Sequence, residues 1–186
     1  HLLEEHLRTE GYELRVGAGV SGVETAGMER AAVRISYDQP AGLACEGMPT
    51  HDDVDPVVVC TGTRPSLDFL VPGQVQTGEG ILVDESSRSS VPTLCAAGDV
   101  AQGKNLMSGR HEVIGLWASA RYQGRAAGRS LAGVPSGYPG SVPHNVTHVG
   151  RMLFASVGCM CDYDQATVCR EEDRLQVRVW QEGALR

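Results

Sequence analysis

One stretch limits what this chain can become: Gly80 to Ala101, which reads GILVDESSRSSVPTLCAAGDVA. Two short apolar runs, Ile81 to Val83 and Thr93 to Ala97, are joined by a polar turn that contains Pro92, and the second run stops at Gly98-Asp99. The pattern predicts an extended, buried segment that delivers one carboxylate to the carboxyl end of a sheet, the edge where open α/β sheets hold ligands. An ionised Asp only accepts hydrogen bonds, so it suits a hydroxyl-rich partner such as the sugar or ribitol chain of a nucleotide cofactor. Gly98 lets the backbone come close. Taken alone, the same residues also fit a buried strand that ends in an ordinary Asx turn.

At 186 residues the chain is long enough to bury a core. Its formal charge of −7, with Lys and Arg scattered singly, argues against a nucleic-acid surface or an anionic membrane face. No apolar run approaches the ~20 residues that span a bilayer, and no signal-like amino terminus is present. The expectation is a cytoplasmic protein. The chain opens on His1 directly in a helical pattern, which points to a piece of a longer polypeptide. Of the six cysteines, Cys45, Cys60 and Cys95 stand alone and read as small buried hydrophobes. Cys159, Cys161 and Cys169 lack the paired CxxC spacing of a structural zinc site, so no metal site is expected.

Residues 1–10 place Leu2, Leu3, His6 and Leu7 on one helical face, and Gly11 supplies the stop. Tyr12 to Val16, a run near Val23, and the alternation at Val33, Ile35 and Tyr37 up to the break at residues 39–42 suggest a small antiparallel meander. Within it, Gly17 to Gly22 (GAGVSG) matches the dinucleotide pattern GxGxxG, with Asp38 near the offset of a ribose-binding acid. The following segment carries Gly27 in mid-helix and little apolar stripe, so the glycine-rich turn of a meander is the preferred reading. Val57, Val58 and Val59 form a β-branched run, as in a strand buried on both faces, which Thr61-Gly62 ends in a tight turn. A helix of roughly Gly115 to Ala132 follows, with Trp117, Ala120, Gly124, Ala127 and Leu131 on one face. Arg121, Arg125 and Arg129 form a row on another, read as a solvated face. Gly- and Pro-rich residues 134–143 read as a linker, and extended runs at Met152 to Val157, Ala166 to Arg170 and Leu175 to Trp180 suggest a second, sheet-containing domain.

In this order the pieces resemble the FAD-dependent pyridine nucleotide-disulfide oxidoreductase superfamily, nearest its NADH oxidase, rubredoxin reductase and nitrite reductase large-subunit branch. VVVCTGTRP is similar to the segment where such chains pass from the NAD(P)H domain back into the FAD domain, although Cys60 stands where Ala is usual. GILVDESSRSSVPTLCAAGDVA looks like the second FAD motif, IGLWASARYQGRAAGRSLAG like the helix after it, and HNVTHVGRMLFASVG like the entry to the carboxyl-terminal interface domain.

The resemblance implies an α/β fold: a partial FAD/NAD(P)-binding Rossmann-like domain with a β meander, followed by the start of an α+β interface domain. It implies domains at 1–55 (end of the NAD(P)H domain), 56–134 (second half of the FAD domain), 135–144 (linker) and 145–186 (start of the interface domain). It implies hydride transfer from NAD(P)H as co-substrate to FAD, and electrons passed to a small-molecule or small redox-protein acceptor. Asp99 would hold the ribitol, with Gly98 beside it; Thr61 and Gly62 would line the flavin-side turn with Arg64. The helix end at Trp117 and Ala118 would turn its positive pole to the flavin. A homodimer through the carboxyl-terminal region is a further implication. Two other functions fit the residues: a non-catalytic assembly module, and a small self-contained nucleotide-binding domain built on Gly17 to Gly22.

Overall fold

A computed structural model describes residues 2–26, 32–38, 49–159, 163–172 and 174–185. Contacts divide the chain into two units, His1–Gly62 and Thr63–Arg186. Expectations placed on Gly27, on the break at residues 39–42, and on Cys45 and Cys161 lie outside the described residues.

The first unit begins with α1 (Leu2–Thr9), which half-buries Leu3, His6 and Leu7 and ends where Gly11 turns left-handed at φ 88°. The Tyr12 N–H reaches back to the Leu7 carbonyl at 2.9 Å and closes that turn. Residues 12–16 join no sheet, because their backbone finds no strand to pair with among the described residues. The meander itself is present: β1 (Gly19–Ala26), β2 (Ala32–Asp38) and β3 (His51–Val54) form an antiparallel sheet in chain order. Val23 lies opposite Ile35 and Arg34 opposite Asp53, and the latter pair meet through two hydrogen bonds of 2.7 and 2.8 Å. Gly19 and Gly22 are strand residues of β1, which pairs along its length with β2. They open no helix, so the GxGxxG match is not a phosphate loop.

The second unit is organised by β4 (Ile81–Leu82), which pairs in parallel with β5 (Ala101–Lys104); β5 in turn pairs antiparallel with β6 (His111–Val113). Ile81, Val83, Ala96 and Ala101 are the buried centre, and Leu67, Leu70, Val75 and Val100 pack around it. The loop between β5 and β6 is held by buried Asn105. Its amide Nδ2–H donates to Glu112 Oε2 at 2.7 Å, and its Oδ1 accepts the Met107 N–H at 2.8 Å. Ser108 donates its hydroxyl to Glu112 Oε1 at 2.7 Å. The hydrogen bonds from Ser108 and Asn105, aided by the Arg110 charge, hold the Glu112 carboxyl below the ordinary carboxylate range.

Helix α2 (Trp117–Leu131) follows, then a hairpin of β7 (His144–Val149) with β8 (Met152–Val157), and a sheet of β9 (Gln165–Arg170), β10 (Leu175–Gln181) and β11 (Ala184–Leu185). Residues 134–143 are tied to the second unit. Tyr138 N–H donates to the Glu85 carbonyl, Ser141 N–H to the Lys104 carbonyl at 2.9 Å, and Leu106 N–H to the Ser141 carbonyl at 2.9 Å. Among the described residues no helix is long and apolar enough to cross a membrane.

Four expectations are corrected. Val57 to Val59 form no strand, and Val58 is 80% exposed. A β-branched run becomes a buried strand only where neighbouring strands pair with it, and none does among the described residues. Cys60, in the same segment, is accordingly exposed rather than buried. Thr93 to Ala97 is not a regular strand either: it touches one bridge, Arg88 to Cys95, and folds back on residues 84–89 through Ser89 N–H to the Leu94 carbonyl and Ala96 N–H to the Ser87 carbonyl. Finally, α2 is rotated from the expected face. It buries Ser119, Gln123, Ala126, Ala127 and Ser130, while Trp117 is 76% and Leu131 62% exposed. Specific hydrogen bonds at Gln123 win that face: its side-chain oxygen accepts the Gly98 N–H at 2.8 Å, and its carbonyl accepts the Ser87 hydroxyl at 3.1 Å.

Truncating Ile81 to Ala removes the largest member of the buried centre and lowers unfolding stability by ~2–4 kcal/mol, read as a shift of the urea midpoint at unchanged slope. Glu112 gives a pH signature. A carboxyl whose folded pKa lies below its unfolded one contributes stability above the unfolded value, and that contribution is lost as pH falls through the folded one. In Glu112→Gln the urea midpoint therefore falls less between neutral and acid pH than in the parent chain; parallel curves would count against the Asn105–Ser108–Glu112 cluster as its cause.

Candidate functional site

The turn that carries Asp99 is built between the buried centre and α2. Ala96 is buried, Ala97 is extended at φ −150° and ψ 154°, and Gly98 then swings to φ 77°, opening a short 3-10 turn over Gly98–Val100 that leads straight into β5. Only glycine takes that conformation without strain. The Gly98 N–H donates to Gln123 Oε1 at 2.8 Å, and a Cβ on Gly98 would meet the Ala120 Cβ at 3.5 Å. The turn is thus fixed to the second turn of α2 on one side and to β5 on the other.

This anchoring leaves the Asp99 carboxylate exposed, and it accepts no hydrogen bond and joins no ion pair among the described residues. It lies against Gly115: a Cβ there would sit 3.6 Å from Oδ1 and 3.9 Å from Oδ2. Gly115 also borders a cavity of ≈570 Å³ lined by Thr63, Arg64, Pro65, Glu79 and Val113. Arg64 and Glu79 are both exposed, and no ion pair joins either of them to a described residue. Two residues beyond Gly115, α2 begins after Leu116, whose side chain makes no capping hydrogen bond, and its first turn holds no acidic residue. Its amide dipoles therefore favour negative charge at that end by ~0.3–2 kcal/mol. Trp117 stands out from the same end with the Arg121 guanidinium 4.7 Å from its ring centre, and Ala118 beside it is half-buried.

Of the residues expected at the site, the second unit brings Gly98, Asp99, Arg64 and the α2 end at Trp117 and Ala118 around Gly115. Thr61 and Gly62 are exposed and close the first unit, Gly62 at φ 90°. Trp117 is no core aromatic. Sequence reasoning missed Gly115 and Gln123. A glycine two residues ahead of a helix was the available signal for Gly115; Gln123 carries none of its own.

With that geometry in place, the comparisons are specific. The family described as pyridine nucleotide-disulphide oxidoreductase matches residues 2–124, well over half of the chain, and the chain belongs to that family. It is 28% identical over 159 residues to the NADH-dependent phenylglyoxylate dehydrogenase subunit epsilon of Aromatoleum evansii, covering 84% of this chain and 35% of that protein. It is 29% identical over 133 residues to the NADH-rubredoxin oxidoreductase of Clostridium acetobutylicum, covering 69% of this chain and 33% of that one. The fold matches the crystal structure of a ferredoxin reductase from Rhodopseudomonas palustris with a TM-score of 0.77 at 21% identity, over 98% of this chain and 43% of that one. The mixed α/β chain is thus a partial Rossmann-like fold, and it spans about a third of the length of these two curated relatives.

The glycine turn is the point where a small change is felt. Gly98→Ala costs ~1–2 kcal/mol through its left-handed backbone, because the Ala120 methyl stands at ordinary contact distance and adds little. Urea unfolding of the variant reads this directly; a midpoint within experimental error of the parent would refute the strained-turn assignment.

Proposed function

We propose that this chain supplies the second half of an FAD site in a flavin-dependent NAD(P)H oxidoreductase, the first half belonging to a part of the parent polypeptide outside these residues. The observation that carries this reading is the Asp99 carboxylate: exposed, without a partner, and backed by a glycine on each side of the fold. The group fits the residues present. A hydroxylated chain needs acceptors, which an ionised carboxylate supplies. The missing side chain at Gly115 leaves space directly over that carboxylate, and the uncapped end of α2 favours negative charge. When bound, FAD supplies the capacity to take a hydride from NAD(P)H and release electrons to an acceptor.

The chain's own residues then bind and orient. Asp99 accepts hydrogen bonds from the ribitol, Gly98 fixes the direction of Asp99, and Gln123 fixes Gly98. Arg64 places its own positive charge at the cavity wall, and Thr61 and Gly62 complete the flavin-side turn. Trp117 borders the route to the acceptor, which we take to be a small molecule or a small redox protein; the C. acetobutylicum relative carries rubredoxin in its name. Residues 1–55 correspond to the end of the NAD(P)H domain, 56–134 to the second half of the FAD domain and 145–186 to the start of an interface domain. The exposed apolar side chains Val146, Leu153 and Val157 on β7 and β8 support a homodimer contact there.

The test compares two preparations. The purified 186-residue chain carries well under one flavin per chain, and the longer polypeptide that contains it carries about one and is bleached by NAD(P)H. Asp99→Ala in the longer form lowers flavin retention by about tenfold or more, in keeping with ~1.5–3 kcal/mol for hydrogen bonds to a charged group. A longer form that NAD(P)H does not bleach overturns the oxidoreductase reading. Full flavin retention in Asp99→Ala overturns the part given to Asp99.

A further inference from the structure

Resting on the flavin reading, we infer that Gly115 is the specificity-determining residue of the Asp99 half-site: its missing side chain serves the ligand and not the fold, and it selects a slender, open chain of hydroxyls. A glycine is required where the backbone turns left-handed or where a side chain has no room. Gly98 is the first case, at φ 77°, and Gly80 the second, since a Cβ there would come 2.7 Å from the Val100 carbonyl oxygen. Gly115 is neither. Its φ lies outside the left-handed region, and the Leu116 N–H donates to the Ile114 carbonyl across it at 2.8 Å, an inverse γ-turn open to any L residue. The nearest atoms to a Cβ at this position are Asp99 Oδ1, Cγ and Oδ2 at 3.6, 3.7 and 3.9 Å, ordinary contact distances that a methyl group satisfies. Glycine also loses more conformational freedom on folding than alanine does, so the fold alone favours a side chain here.

What a side chain would take away is access. The three nearly equal distances place that Cβ over the flat face of the carboxylate. Asp99 accepts no hydrogen bond from a described residue, so both of its oxygens remain open to donors. Gly115 also borders the ≈570 Å³ cavity of Thr63, Arg64, Pro65, Glu79 and Val113. It is the residue common to carboxylate and cavity, and a ligand that touches both crosses it. An open chain of carbons is narrow enough to pass over a bare Cα, and each of its hydroxyls is a donor that an ionised carboxylate can accept. A methyl group at this position holds the carbons of the ligand ~3.5–4 Å away, and the hydrogen bonds to Asp99, which need ~2.7 Å between oxygens, are stretched beyond use. Glycine therefore admits the polyol, one methyl hinders it, and a β-branched side chain closes the crossing.

The experiment measures FAD dissociation constants on the longer polypeptide for Gly115→Ala and Gly115→Val, each alone and combined with Asp99→Ala, and urea unfolding on the purified 186-residue chain with Gly115→Ala. Gly115→Ala weakens FAD about tenfold and Gly115→Val about a hundredfold. In the Asp99→Ala background Gly115→Ala costs about threefold or less, because the carboxylate it obstructs is gone. The urea midpoint of the 186-residue Gly115→Ala chain stays at or above the parent value. Parent-like FAD affinity in both variants overturns the assignment of Gly115 and leaves the flavin reading intact, as does an equal loss with and without Asp99. A lowered urea midpoint gives the glycine to the fold and overturns the assignment as well. A longer form that binds no FAD even with Gly115 in place overturns the flavin reading and this assignment with it.

Discussion

The hydrogen bond from the Gly98 N–H to Gln123 Oε1 is the interaction on which the second unit's arrangement depends. It joins helix α2 to the turn between the irregular segment 93–97 and β5, and it sets which face of that helix is buried. Without it, nothing polar would select Gln123 for the inside, and the alternative face of Trp117, Ala120, Gly124, Ala127 and Leu131 would compete on hydrophobicity. Arg88 reinforces the same choice from the other end of the helix. Its guanidinium donates to the Ser130 carbonyl at 2.5 Å and to the Pro92 carbonyl at 2.7 Å, so the turn before the irregular segment is tied to the helix as well.

Much of the arrangement was legible because local chemistry and tertiary context agree. Gly11 ends α1, the alternation at Val33, Ile35 and Tyr37 makes β2, and the Gly98-Asp99 step turns the chain as its residue types require. Two of the failures share one physical origin. Val57 to Val59 and Thr93 to Ala97 have strand composition, but strand propensity is realised through neighbours, and those neighbours are not among the described residues. The rotation of α2 was illegible for a different reason: helical periodicity ranks apolar residues, whereas this helix turns Gln123 inward on the strength of one specific partner, Gly98.

The candidate site shows the same division. Asp99 was readable because a glycine and an acid at the end of an apolar run leave few alternatives. Gly115 was not, since its part is to leave space beside a residue sixteen positions earlier, and no local pattern encodes that. Gln123 carries no sequence signal of its own; its importance comes from serving two partners at once, with the side-chain oxygen toward Gly98 and the backbone carbonyl toward the Ser87 hydroxyl.

The pairing of β4 with β5 has a kinetic consequence. Strands that run parallel cannot be joined by a tight turn, so Ile81 and Ala101 meet only after the intervening chain has been gathered in. That chain is drawn together by short-range contacts: the Asp84 carboxylate on the amides of Ser86 and Arg88, and the Ser89 N–H on the Leu94 carbonyl. Each spans few residues and therefore costs little closure entropy, which lowers the cost of the longer closure between β4 and β5. The polar run ESSRSS, unremarkable as composition, thus shortens the excursion that must be closed before the turn bearing Asp99 reaches its place beside β4.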